Sequence, residues 1–365
     1  MDLFQGLNDA QQEAVACLEG PLLIVAGAGS GKTRVLTYRI ANLLAHGVAA
    51  YRILAITFTN KAAREMRDRV DTLIGEAAHD IWLSTFHAFC ARLLRVEIEH
   101  LGGYEKNFVI YDASDSKGLI RECLKELNLD EKHTAPGAVQ AHISDAKNRL
   151  LGVKQFTAQA EDFFSQQVAK VYELYQSKLA ANNALDFDDL LMLTVELLSK
   201  NEAVRTKYQE KFRYILVDEY QDTNGAQYQI TKLLAAGHHN ICVVGDADQS
   251  IYGWRGADMR NILNFERDYP EATVILLEQN YRSTKNILMA ANAVIENNIE
   301  RKKKKLWTDN AEGDPIVIYE GFTEKNEASY IVREVERLHT IYHIKYGDVA
   351  VLYRTNTQSR NIEEA

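Results

Sequence analysis

The sequence predicts an α/β protein built on a parallel sheet, and three observations predict it. Short β-branched or apolar runs alternate with amphipathic helical stretches over the first hundred residues. The alternation stops between 113 and 199, where only helical periodicity is present, and then returns at "RYILVDEYQD" and "NICVVGDADQ". At 365 residues and 46% hydrophobic, the chain exceeds one ordinary domain and has the means to bury a substantial core.

The first strand is "PLLIVAG", followed by the helix "KTRVLTYRIANLLAH"; "ILAITFT" and "KAAREMRDRVDTLI" form the next pair, then "IWLST" and "FHAFCARLLRVEI". Within 113–199, "SDSKGLIRECLKELN" and "DFFSQQVAKVYELYQSKLAANN" read as helices of an inserted, all-helical subdomain with no evident strand. After about residue 280, "DPIVIYEGF" and "DVAVLYRT" read as strands that begin a second α/β unit. No short-period repeat and no low-complexity linker interrupts this order.

Composition narrows the function. A formal net charge of -9 argues against a protein that coats nucleic acid by bulk electrostatics, though not against one with a narrow basic track. Basic residues cluster in "NKAAREMRDR" (60–69) and "RKKKK" (301–305), runs that ordinarily form solvated faces. The N-terminus has no basic region leading into an apolar run, and "PLLIVAGAG" is far too short to span a bilayer, so a cytoplasmic location without a membrane role is expected. Cys17, Cys90, Cys123 and Cys242 are scattered, with no spacing that suggests zinc or a disulfide framework.

The strongest chemical signal is "AGAGSGKT", Ala26, Gly27, Ala28, Gly29, Ser30, Gly31, Lys32 and Thr33, placed after an apolar strand and before a helix. Glycines there let backbone N–H groups turn inward around phosphates, Lys32 reaches the β/γ-phosphates, and the Thr33 hydroxyl is a ligand for Mg²⁺. Ala26 stands where the strict motif has glycine, a mild departure by a small residue. A phosphate loop needs an acidic partner at the end of a neighbouring strand, and "YILVDEYQD" (214–222) delivers Asp218 and Glu219 to such an end. Asp218 would hold the metal and Glu219 would activate the attacking water. An adjacent glutamate points to hydrolysis, since a kinase must protect its phosphoryl group from water.

With these motifs in place the sequence resembles the UvrD/PcrA/Rep group of superfamily 1 DNA helicases, over essentially its whole length. "LNDAQQEAV" (7–15) is similar to the Q-motif, which implies that Gln11 reads adenine, and Arg34 just beyond the phosphate loop is placed to flank the base. "ITFTNKAAREM" (56–66) and "STFHAFCARLLR" (84–95) match stretches that touch single-stranded DNA in the family, which implies a DNA role for Phe58, Asn60 and His87. "VDEYQD" resembles Walker B and "VVGDADQSIYGWRGA" (243–257) resembles motif III, in which Gln249 is placed to contact the γ-phosphate or the attacking water. Tyr252 and Trp254 follow three and five residues later, where aromatic faces could stack on bases. Phe187, in "LDFDDLL", matches a further family position near the strand. "LEQNYRST" (277–284) resembles motif IV, with Tyr281 stacking on adenine and Arg282 acting as an arginine finger.

The resemblance implies a RecA-like P-loop NTPase domain over 1–112 and 200–279, the helical insertion at 113–199, and an incomplete second RecA-like domain over 280–365. It implies an enzyme that uses ATP and Mg²⁺ to move 3′ to 5′ on single-stranded and partially duplex DNA, in repair or replication restart, alongside repair or replication proteins. Three rivals stand beside it: a metabolic P-loop kinase, a subunit of a helicase-nuclease, and a non-catalytic single-strand-binding module. "TNTQSRNIEEA" stops inside a helical pattern, with no closing strand and no sign of motifs V and VI, so a poorly active fragment of a longer helicase is expected.

Overall fold

The computed structural model describes residues 3–75, 80–253, 256–298, 302 and 304–365. Asn8 caps the first helix, α1 (Asp9–Ala16), in a reciprocal box with Gln11. Five consecutive buried residues make β1 (Leu22–Ala26), and the glycine-rich turn after it opens α2 (Lys32–Ala45). The pattern repeats through β2 (Ile53–Thr57), α3 (Asn60–Ile74), β3 (Trp82–Thr85) and α4 (Phe86–Glu97). Thr59 and Thr85 cap α3 and α4 by accepting from the backbone N–H groups of Ala62 and Ala88, so each helix starts within three residues of its strand.

The chain then leaves the sheet through β4 (Val109–Tyr111), α5 (Ala113–Glu126), α6 (Pro136–Asn148), α7 (Val153–Gln159), α8 (Phe163–Ala181), β5 (Ala184–Asp186) and α9 (Phe187–Lys200). It returns with α10 (Glu202–Lys211), β6 (Tyr214–Val217), α11 (Gly225–Ala235) and β7 (Ile241–Gly245), followed by the single turns α12 (Arg260–Leu263) and α13 (Phe265–Asp268) and by β8 (Thr273–Leu277). Last come α14 (Lys285–Ile295), α15 (Glu324–Tyr342) and α16 (Ser359–Glu364).

The main sheet has the order β3-β2-β6-β7-β1-β8, and every pair in it is parallel. Strand alternation sorts its side chains into two cores: Leu23 and Val25 of β1 pack with α4, α9 and α11, whereas Leu22, Ile24 and Ala26 pack with α1 and α2. The insertion has its own core, built around Leu119, Ile143, Val168 and Tyr172. Cys90, Cys123 and Cys242 are buried, Cys17 is half-buried, and all four are free thiols. Among the described residues no helix is long and apolar enough to cross a membrane.

The described residues divide into two compact units, Met1–Ala311 and Glu312–Ala365. Two features depart from the sequence reading. The region after 113 is helical except for β5, which pairs in parallel with β4; its three residues are too few to show a period against the flanking helices. In the second unit, "DPIVIYEGF" and "DVAVLYRT" form no strand, and Ile318 and Leu352 are 92% and 93% exposed. An apolar run becomes a strand only when a neighbour satisfies its backbone, and no described residue pairs with either segment.

Candidate nucleotide and DNA site

Because the large sheet is parallel, the loops after its strands converge on one edge. The phosphate loop leaves β1 there, Asp218 and Glu219 leave β6, Asp246 to Gln249 leave β7, and Asn280 to Arg282 follow β8. A cavity of about 380 Å³ opens at this edge, lined by Ala28, Gly29, Gly31, Lys32, Thr33, Arg34, Arg69, Glu219, Gln249, Tyr281 and Arg282.

The cavity depends on a left-handed backbone. Gly29 has φ +66°, and a Cβ there would stand 2.7 Å from both the Arg282 Cβ and the Asn280 Nδ2, so only glycine fits. The Tyr281 N–H donates to the Gly29 carbonyl at 3.0 Å and Asn280 Nδ2 donates to the Ala28 carbonyl at 2.6 Å. The segment after β8 is thereby fastened to the phosphate loop, which brings Arg282 to the cavity wall. Ala26, Gly27 and Ser30 shape the loop without lining the cavity: Ala26 is the buried end of β1, the Gly27 N–H donates to the Leu277 carbonyl at 3.1 Å, and Ser30 Oγ donates to the Gly27 carbonyl at 2.8 Å. Gln11, expected to read adenine, lies behind the loop. Its Nε2 donates to the Ser30 carbonyl at 2.9 Å and its Oε1 accepts from the Asn8 N–H at 3.1 Å.

Charge is concentrated at the centre. Lys32 Nζ lies 2.9 Å from Glu219 Oε2 and donates to Gln249 Oε1 at 3.3 Å. Gln221 Nε2 donates to Glu219 Oε2 at 2.8 Å while its Oε1 accepts from the Asp246 N–H at 2.9 Å, and Gln249 Nε2 donates to Asp246 Oδ2 at 2.7 Å. One amide therefore ties the end of β6 to the end of β7. Glu219 itself adopts the left-handed conformation, φ 49° and ψ 45°, which costs a non-glycine residue about 1–3 kcal/mol and is characteristic of positions held for function. Burial, and then the Glu219 charge, push the Asp218 carboxyl up to about 6, with Lys32 opposing. A buried carboxylate raised in this way is stabilised by a cation, and the Thr33 hydroxyl supplies a second oxygen, so the donor set fits Mg²⁺. Among the described residues no cluster of three or more His, Cys, Asp or Glu is present that could hold a metal ion.

Aromatic side chains gather beyond other strands of the same sheet. The Phe58 and Tyr252 rings stack with centroids 5.9 Å apart and planes at 22°. His87 meets Phe187 edge to face at 5.8 Å, and burial lowers the His87 pKa, favouring the neutral ring. Phe187, the first residue of α9, is half exposed, and Asn60, the first of α3, is exposed. Trp254 lies outside the described residues.

Residues 7–270 match the UvrD/REP helicase N-terminal domain, and residues 275–365 match the UvrD-like helicase C-terminal domain. The chain belongs to the UvrD/REP helicase family. It is 56% identical, over 363 residues and 99% of its length, to the ATP-dependent DNA helicase PcrA of Staphylococcus epidermidis and to that of Staphylococcus aureus, covering 50% of each. The chain thus spans about half the length of the curated relatives it matches.

In this UvrD/REP helicase chain the structure also brings to the site side chains to which the motifs assign no role, Gln221 among them. Arg69, in a basic run expected to form a solvated face, is exposed and lines the cavity, three residues after buried Met66 on the same helix. Asn280 is buried, and its Oδ1 accepts from the Arg282 and Ser283 N–H groups at 2.9 and 2.7 Å, which fixes the turn that carries Arg282. Lys304, from the second basic run, is buried against Asp246 and Asp248 instead of facing solvent. A tertiary ion pair at a sequence separation of more than fifty residues leaves no local pattern to detect.

Proposed function

We propose that this chain binds ATP and Mg²⁺ in the cavity beside Lys32 and couples hydrolysis to movement along single-stranded DNA, 3′ to 5′, unwinding partially duplex DNA. Its setting would be DNA repair or replication restart in the cytoplasm, with repair or replication proteins as partners. The named relatives are ATP-dependent DNA helicases, which supports the reaction class, and polarity rests on the family resemblance.

One observation carries this reading: a single short loop after β7 holds Gln249 on Lys32 and, three residues later, lays Tyr252 on Phe58. A change at the phosphate end has little slack before it reaches the aromatic end. In the mechanism, Lys32 exchanges Glu219 for phosphate oxygens when nucleotide enters. Glu219, released from that ion pair, orients water and accepts its proton as the water oxygen bonds the γ-phosphorus and the bond to the β–γ bridging oxygen breaks to leave ADP, while Gln249 contacts the γ-phosphate or the attacking water. Arg282 faces the developing charge from the opposite wall. Thr33 and Asp218 would hold Mg²⁺, which when bound screens the phosphate oxygens.

The test is ATP hydrolysis with and without single-stranded DNA, and unwinding of duplexes carrying a 3′ or a 5′ tail. Stimulation by DNA is expected, with weak unwinding confined to the 3′ tail. A rate indifferent to DNA would return the protein to the general class of P-loop NTPases, and unwinding from the 5′ tail alone would reverse the polarity.

A further inference from the structure

We infer that Asn148 is a positioning residue that links the ATP-hydrolysing segment after β6 to the DNA-facing Phe187. The inference rests on the translocase reading above and concerns how its two sites communicate through the inserted subdomain.

Asn148 ends α6 and has two engaged faces. Its Oδ1 accepts from Asn224 Nδ2, and its Nδ2 donates to Asp188 Oδ1 at 3.2 Å and to the Ser144 carbonyl at 2.8 Å. Asn224 stands five residues after Glu219 and caps α11, where its side chain accepts from the Gln227 N–H at 2.9 Å. The intervening turn is tied at both ends: Gln221 holds Glu219, and Thr223 accepts from Asn261 Nδ2 through its carbonyl at 3.0 Å. Displacement of Glu219 therefore reaches Asn224 through a short, buried and hydrogen-bonded segment.

On the other side, two adjacent residues of α6 grip the residues around Phe187. Lys147, fully buried, lies 2.7 Å from Asp186 and 2.7 Å from Asp189, while Asn148 holds Asp188. Phe187 is thus flanked by two carboxylates that both answer to the end of α6, and its ring is left free to project beside His87. Buried polar networks with every member partnered have discrete arrangements and little give, which is what transmission between two sites requires. Burial, and then the Asp186 charge, raise the Asp188 pKa, so an amide in place of this carboxyl keeps the acceptor for Asn148 and removes a disfavoured charge.

The experiment uses the protein expressed from its complete gene and measures basal ATPase, DNA-stimulated ATPase, and single-strand affinity by fluorescence anisotropy without nucleotide. Asn148→Ala and Asn224→Ala should each lower the DNA-stimulated rate about five- to tenfold, with basal rate and DNA affinity changed less than about twofold. The double variant should be no worse than either single, because both remove one link. Asp188→Ala should behave like Asn148→Ala, whereas Asp188→Asn should retain stimulation; this pair decides the matter if Asn148→Ala does not fold. Equal loss of basal and stimulated rates, additive effects in the double variant, or equal behaviour of Asp188→Ala and Asp188→Asn each overturn the inference. A wild-type protein that DNA does not stimulate overturns the translocase reading itself, and this inference with it.

Discussion

The cavity beside Lys32 and the aromatic cluster leave the same edge of the same sheet, yet they are built in opposite ways. At the cavity, position is set by backbone: left-handed Gly29 and Glu219, the Tyr281 N–H on the Gly29 carbonyl, and Asn280 on Ala28. At the aromatic cluster, position is set by side chains leaning on one another, Phe58 on Tyr252 and His87 on Phe187, with Phe187 half exposed. Phosphoryl transfer needs charges fixed to within a fraction of an ångström, which backbone provides. Bases of any sequence need only flat apolar faces, which exposed rings provide.

The comparison breaks most sharply at Arg282. Arg282→Ala should lower the single-turnover hydrolysis rate by about 10³-fold or more while single-strand affinity stays within a few-fold. Loss confined to a few-fold would mean that the wall opposite the phosphate loop does not touch the reacting group. Next in size, Glu219→Gln should reduce turnover by about 10²- to 10⁴-fold with ATP still bound, measured with a fluorescent nucleotide. Lys32→Ala should instead weaken that binding, because it removes the cation that meets the phosphates. Near-normal turnover in Glu219→Gln would remove glutamate from the role of base.

On the aromatic side, Phe58→Ala and Tyr252→Ala should each weaken single-strand binding by about 1–3 kcal/mol and leave nucleotide affinity unchanged. If nucleotide affinity falls equally, the stacked pair is part of the cavity's framework and the contrast between the two regions fails. The smallest effect expected is that of Gly29→Ala. A Cβ there meets Arg282 Cβ and Asn280 Nδ2 at 2.7 Å and displaces that wall of the cavity, so ATP affinity should drop roughly tenfold by isothermal titration, without change in DNA affinity. An unaltered affinity would show that the Arg282 segment yields readily to an added methyl.

Much of this architecture was legible because its signals are local. The run "LLIV" followed by glycines and "GKT" marks a strand, a turn and a helix start within a dozen residues, and "YILVDE" marks the neighbouring acid-bearing strand. Alternation of apolar runs with amphipathic helices specified a parallel sheet, since hydrophobic periodicity depends only on near neighbours along the chain. Strand order, by contrast, follows from which apolar faces meet after folding, and the sheet places β6 and β7 between β2 and β1.

The same limit explains what the sequence left undecided at the sites. That Gln11 backs the phosphate loop, that Arg69 lines the cavity and that Lys304 is buried on Asp246 are facts about partners tens to hundreds of residues away. Asn148 is the extreme case, an unremarked residue at a helix end whose two hydrogen-bonding faces meet Asn224 and Asp188 only once the inserted subdomain docks. "DPIVIYEGF" has the composition of a strand, but composition supplies side-chain preference and not the neighbouring backbone that a strand must bond. Local pattern thus determined which segments are helix-like or strand-like and where the glycine-rich turn and the acid-bearing strand lie. Long-range packing decided which polar side chains meet, because hydrogen bonds and ion pairs depend on distances in space that the order of residues does not encode.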